Sequence, residues 1–446
     1  MPISLYLCGM NIQKIVIAIC LLALHYSVMA QDAYSELLAD VHKAAGIYYA
    51  LPATDTYPQT PPPEGKKAFY ISHYGCSAAH YLEPSKIYDE PLSILMHADS
   101  LGKLTDLGRD VMQRLKRISE DAHLRTGELT ASGIRQIRQQ TKLMAETFPE
   151  VFIKGSFIDG RSIVLNRCIL TMQEALLQLA PITQYQDIRT KASHHNDTWM
   201  DPVDKELEAL RSNAQVMAHY EAFKAANTEN SRLMKSLFND DTYVKQQIKA
   251  DELSKQLFLL AGNIQHTELA PTTTLFDIFT PQEIHRHWRI QNAWNYIQYG
   301  GYTLNGGHQA YAQRAPLWNL LHMGDSVRTL KMPVTHLRYT TPAMLLSLAC
   351  LMELDSLGIQ TENLDTLENR GWKDYCIAPF GGSIQVIHYR SSPDDPDMLI
   401  KVLLNGREAR LPIASDCAPY YKWQDVKRYY LRKLYTYEIR FHSKKR

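Results

Sequence analysis

Three residues in one short stretch carry groups that could attack an electrophile: Cys76, Ser77 and His80, with His73 just upstream. A serine hydroxyl becomes a useful nucleophile only beside a base or a metal, and no triad-type histidine or metal cluster is readable near Ser77. A cysteine acting on a phosphate ester would want an arginine six residues on, and position 82 is Leu82. The imidazole of His80 could take a phosphoryl group in principle; His73 reads as a packing or hydrogen-bonding residue. His285-Arg286-His287 resembles a metal dyad, but positions i and i+2 of a helix face apart, so a solvated face is expected there. His322 and Asp325 read as surface residues. No C-x-x-C pair occurs, and no metal site or cofactor is expected.

The elements that must hold these groups are legible from pattern. Ala68-Phe69-Tyr70-Ile71-Ser72-His73 reads as a strand rich in aromatic and β-branched residues and stopped by Gly75, which puts Cys76 to His80 at a strand's carboxyl end. Helical spacing recurs over 104–117 and over 130–147, with Thr130 as N-cap. Ser162-Ile163-Val164-Leu165 leads into a helix over 168–179 that Pro181 closes. Residues 200–260 are almost wholly helical in pattern, with few Gly or Pro. Thr280-Pro281-Gln282-Glu283 is a capping box with proline at the first helical position, opening a helix towards Tyr299. Residues 334–339 form a strand running into Thr341-Pro342, where Thr341 caps a helix to about Met352. Residues 384–389 and 399–404 make a hairpin. Ligand groups in α/β proteins gather outside the carboxyl ends of strands, so the segments after His73 and after Tyr339 bear the chemistry.

Those segments carry a family likeness. Tyr70-Ile71-Ser72-His73-Tyr74-Gly75, Gly127-Glu128-Leu129-Thr130-Ala131-Ser132-Gly133-Ile134-Arg135-Gln136, Arg161-Ser162, Arg167-Cys168-Ile169-Leu170-Thr171-Met172 and Leu337-Arg338-Tyr339 resemble the multiple inositol polyphosphate phosphatases of the histidine acid phosphatase family. The likeness continues through Ser383-Ile384-Gln385, Leu403-Leu404-Asn405-Gly406-Arg407-Glu408 and Ala418-Pro419-Tyr420-Tyr421-Lys422-Trp423, and so covers about 70 to about 430 in matching order. The resemblance implies a phosphohistidine mechanism, with arginines neutralising the phosphoryl oxygens and an acid protonating the leaving alcohol. It also implies that the chemistry has been lost. The positions of the Arg-His-Gly-x-Arg motif hold Cys76, Ser77, Ala78, Ala79 and His80. The positions of the distal histidine and acid hold Thr341 and Pro342, followed by Ala343. The motif around Arg167 alone still matches, which marks Arg167 as an anion ligand or as an ion-pair partner holding its helix; Arg161 is the second candidate for substrate binding.

The chain has 446 residues, 45% hydrophobic and 21% charged, with a formal net charge of +1. That balance excludes a disordered tail and gives no field for nucleic acid. The apolar run over 15–24 follows Lys14 and precedes Val28-Met29-Ala30, the layout of an export signal. The run falls short of the about 20 residues that a membrane span needs. Cleavage after Ala30 would leave five of the seven cysteines, an odd number and widely spaced.

The expected architecture is α/β, a histidine phosphatase fold with a mostly parallel central sheet flanked by helices and an inserted helical domain. Its parts are a signal peptide over 1–30, a lead-in over 31–66 containing Pro61-Pro62-Pro63, core over 67–180, a mainly helical insertion over 181–300 and core over 301–440. The expected protein is exported, periplasmic or extracellular, and not integral to a membrane after cleavage. It is expected to be catalytically silent, with a phosphorylated small molecule such as an inositol phosphate, another anion or a protein as its partner. Two alternatives stand beside it: an active phosphomonoesterase with non-standard residues, and a surface interaction protein.

Overall fold

The computed structural model describes residues 32–52, 57–182 and 187–441. The expected signal peptide and the basic tail over 442–446 lie outside the described residues. One large sheet organises the chain. Its strands are β1 (Lys67–Cys76), β2 (Phe157–Ser162), β3 (Ile188–Ala192), β5 (Val334–Thr340), β7 (Ser383–Arg390), β8 (Leu399–Leu404), β9 (Arg407–Ala409) and β10 (Tyr421–Lys422). They lie in the order β10-β8-β7-β1-β5-β2-β3, with β9 on β8. A minor pair, β4 (Gly301–Tyr302) and β6 (Gln360–Thr361), stands apart.

The sheet is mixed. β1, β5, β2 and β3 are mutually parallel, and this half carries the candidate residues; β7, β8, β9 and β10 add antiparallel pairs on the other side of β1. β1 is buried along nearly its whole length because both of its faces are covered. One face sets Tyr70, Tyr74 and Cys76 against the helices Arg314–Ser326, Pro342–Leu351 and Trp423–Phe441. The other sets Ile71, Leu337 and Tyr339 against the helices Ala131–Thr147 and Asn166–Leu179.

The helical part has its own core, drawn from two stretches of chain. The helices Lys86–Ser100 and Asp106–Ala122 pack with Ser231–Leu237, Ala250–Ile264 and the first turns of Pro281–Tyr299 through Leu95, Leu115, Leu237, Leu257 and Trp288. Local signals set several boundaries. Thr280 and Glu283 form the capping box that starts Pro281–Tyr299, and Thr341 caps Pro342–Leu351 by accepting from the Met344 amide at 3.3 Å. Ser162, read as leading a helix, instead ends β2, and the helix starts at Asn166. No helix among the described residues is long and apolar enough to cross a membrane.

The lead-in is a strap. Gln59 donates to the Gly406 carbonyl at 3.0 Å. The amide and hydroxyl of Thr60 donate to the Glu408 carboxylate at 2.6 and 2.8 Å. The Thr60 carbonyl accepts from the Tyr420 hydroxyl at 2.7 Å and from Lys401 Nζ at 3.2 Å. These bonds fasten the strap across the antiparallel half of the sheet.

Candidate functional site

Beyond Gly75, β1 continues through Cys76, and the chain then turns inward through Ser77, Ala78 and Ala79, all fully buried. The turn is pressed against the Ala131–Thr147 helix. A Cβ on Gly133 would stand 2.0 Å from the Ala79 carbonyl oxygen, so only glycine permits this approach. The backbone amides of the turn are already bonded: Ala78 N donates to Thr171 Oγ1 at 3.1 Å and Ala79 N to Gln136 Oε1 at 3.2 Å. Cys76 Sγ donates to the Pro379 carbonyl at 2.8 Å, and burial pushes its thiol up to about 12, which makes it inert as a nucleophile. Ser77 Oγ is buried with no hydrogen-bond partner. No base touches it.

His80 is only 6% exposed, and its ring packs 4.6 Å from that of Phe380. Burial lowers its pKa to about 3, with the Arg167 charge acting in the same direction. Its Nδ1 lies 2.9 Å from the Ala78 carbonyl, which can only accept, so Nδ1 carries the proton.

Arg167 sits in the first turn of Asn166–Leu179 and forms an ion pair with Glu83. Arg161, on β2, pairs with Asp159 at 2.8 Å and lies 5.8 Å from the Trp199 ring. Each candidate arginine therefore already holds a carboxylate. Thr341 does more than cap its helix: its hydroxyl donates to Asp201 Oδ2 at 3.0 Å. Burial raises the Asp201 carboxyl above the usual range, with Asp197 adding to the shift and Thr341 opposing it. Pro342 occupies the first turn of that helix, where its missing N–H costs nothing.

Sequence reasoning missed Asp201, which no motif marks and which the helix His194–Met200 delivers. It also gave no role to Arg338. This residue is buried; it donates to Ser72 Oγ at 3.0 Å, lies 3.3 Å from His336 Nδ1 and stacks 4.8 Å from the Tyr74 ring. Its register partner on β2 is Arg161.

One other expectation needs correcting. His285 and His287 do face apart, but neither is solvated. His285 Nε2 pairs with Glu368 at 2.9 Å, while His287 Nε2 is 2.9 Å from Ser254 Oγ and stacks on Phe258. His322 is exposed and Asp325 half-exposed, as surface residues would be, and Asp325 also anchors the last helix by accepting from Trp423 Nε1 at 2.8 Å and pairing with Lys427. His73 is buried, as a structural residue would be, yet its Nδ1 has no partner. The five cysteines among the described residues are all unbridged.

No protein-family model matches the chain, and no curated protein matches it. Solved structures do. The multiple inositol polyphosphate phosphatase of Bifidobacterium longum, in complex with inositol hexasulfate, aligns at a TM-score of 0.72 and 14% identity over 86% of this chain and 96% of that one. The same enzyme in complex with phosphate aligns at 0.73 and 14%, covering 88% and 98%. The phytase of D. castellii aligns at 0.66 and 12%, covering 88% and 85%. At such identities the likeness establishes the fold, that of the histidine acid phosphatase type, and leaves function to the residues.

Proposed function

We propose that this chain is a catalytically silent relative of the inositol polyphosphate phosphatases, exported from the cell, whose cleft holds an anion such as a phosphorylated inositol without hydrolysing it. The observation that carries this reading is the turn after β1. Where a phosphorylated imidazole and two arginines would be needed, the chain places a serine without a base, two buried alanines with their amides bonded elsewhere, and a histidine packed on Phe380. Thr341 and Pro342 cap a helix and supply no proton at a useful pKa. The ligand class is suggested by the neighbours, which were crystallised with inositol hexasulfate and with phosphate. Arg167 is the group in this chain best suited to it. Export rests on the apolar run over 15–24 and on Val28-Met29-Ala30.

The tautomer of His80 favours a working phosphomonoesterase instead. With its proton on Nδ1, the lone pair falls on Nε2, the atom a phosphoryl group would need. One assay separates the two: phosphate release from inositol hexakisphosphate and from a chromogenic ester between about pH 4 and about pH 8. The silent reading expects background rates, unchanged in Ser77→Ala and His80→Ala. Ordinary turnover that either substitution abolishes would overturn it, since removing a nucleophile costs about 10⁶ in a well-studied hydrolase.

A further inference from the structure

We propose that a second site, separate from the cleft, binds a small uncharged ring compound that has an apolar body and a hydrogen-bonding edge. The site is a cavity of about 130 Å³ between the sheet and the Ala131–Thr147 helix. His73, Tyr339 and Gln385 contribute from the sheet; Ile137, Gln140 and Met144 contribute from the helix. Leu51, Pro52, Tyr57 and Gln59 of the lead-in complete it.

Three features define what would fit. No Asp, Glu, Lys or Arg is among the lining residues, so nothing there neutralises a charged ligand. Three buried polar atoms on the lining residues have no partner: His73 Nδ1, Gln59 Oε1 and Gln140 Nε2. His73 is 6% exposed, and its burial, helped by the Arg338 charge, holds the imidazole neutral with a pKa of about 3, so it offers one donor and one acceptor. Gln59 Oε1 accepts and Gln140 Nε2 donates. Native interiors seldom leave such groups unpaired, and all three belong to residues that line this cavity. The volume is close to that of an engineered apolar cavity of about 150 Å³ that takes up benzene, which sets the size at a single ring.

Gln136, one helical turn before Gln140, is taken up by the turn after β1 and its neighbours. Its Oε1 accepts from Ala79 N at 3.2 Å, and its Nε2 donates to the carbonyls of Leu51 and Phe380 at 2.9 and 2.8 Å.

Phenol and 2-pyridone serve as probes on the purified protein, with inorganic phosphate as control, read by saturation-transfer NMR and thermal shift. The expected result is saturable millimolar binding of at least one ring probe that phosphate does not displace. Binding should weaken about tenfold in Gln140→Leu, which removes the unpaired donor, and vanish in Leu143→Trp, which fills the space. Circular dichroism checks that both variants are folded. No saturable binding of either probe, or binding indifferent to both substitutions, overturns the proposal, as does a crystal structure in which soaked probe leaves only ordered water in the cavity. Neither outcome depends on whether the cleft hydrolyses phosphate.

Discussion

Arg167 and Glu83 are the residues on which anion binding turns. An incoming phosphate must compete with a carboxylate already paired to the guanidinium. Glu83 is half-exposed, so releasing it costs little, whereas a buried partner would have blocked the site. Glu83→Gln is therefore expected to strengthen binding of inositol hexakisphosphate several-fold in calorimetry, and Arg167→Ala to abolish it. Heat that neither change alters would place the anion elsewhere. This pair spans 84 positions of sequence, and the Thr341–Asp201 bond spans 140. Neither partner could be read from the sequence, because no local pattern links them. The places of Cys76 to His80 and of Thr341 could be read, since each follows a strand whose composition announces it.

At the scale of elements, the helix Ala131–Thr147 fixes the turn after β1. Thr130 caps it by accepting from Gly133 N at 3.0 Å, and its hydroxyl also lies 3.3 Å from the Ala79 carbonyl. Thr130→Ala should cost about 1 kcal/mol, the ordinary value of a cap. Gly133→Ala should cost more, about 1–3 kcal/mol, because the new Cβ meets backbone rather than a side chain that can swing away. Urea unfolding of both variants tests the order; a neutral Gly133→Ala would mean that the helix does not clamp the turn. Elements with local punctuation were readable. Thr280 and Pro281 marked one helix, and Thr341 and Pro342 another. β3 was not, because Ile188–Ala192 is mostly exposed and shows no apolar alternation. The last helix, Trp423–Phe441, went unread although Trp423, Val426, Tyr430 and Leu434 recur at helical spacing on its buried face.

At the scale of the whole molecule, buried imidazoles set the response to pH. Burial lowers His73, His80, His336 and His388 to about 3, and His266 and His287 to about 4, from an ordinary value of 6.5. Below 6.5 the unfolded chain takes up protons that the folded chain refuses, so stability falls as pH drops from 6.5 towards 4. Asp374 works the other way: burial raises it from 3.8 to about 6, so the folded state gains as pH falls through that window. One such group offsets one histidine. The melting temperature should accordingly be lower at pH 5 than at pH 7. His388, with both ring nitrogens buried and unpartnered, is the cleanest probe. His388→Leu should remove about one proton, or about 1.4 kcal/mol per pH unit, from the slope of stability against pH. A melting temperature unchanged between the two would refute the assignment of neutral imidazoles.

The strap has a consequence for biosynthesis. Thr60 is fastened to Glu408, 348 positions further along, and β1 needs β7 for its antiparallel edge. A ribosome delivers the strap and the first strand long before either partner exists. These early segments are thus among the last to settle, and until then β1 presents an open, aromatic edge of the kind that invites aggregation.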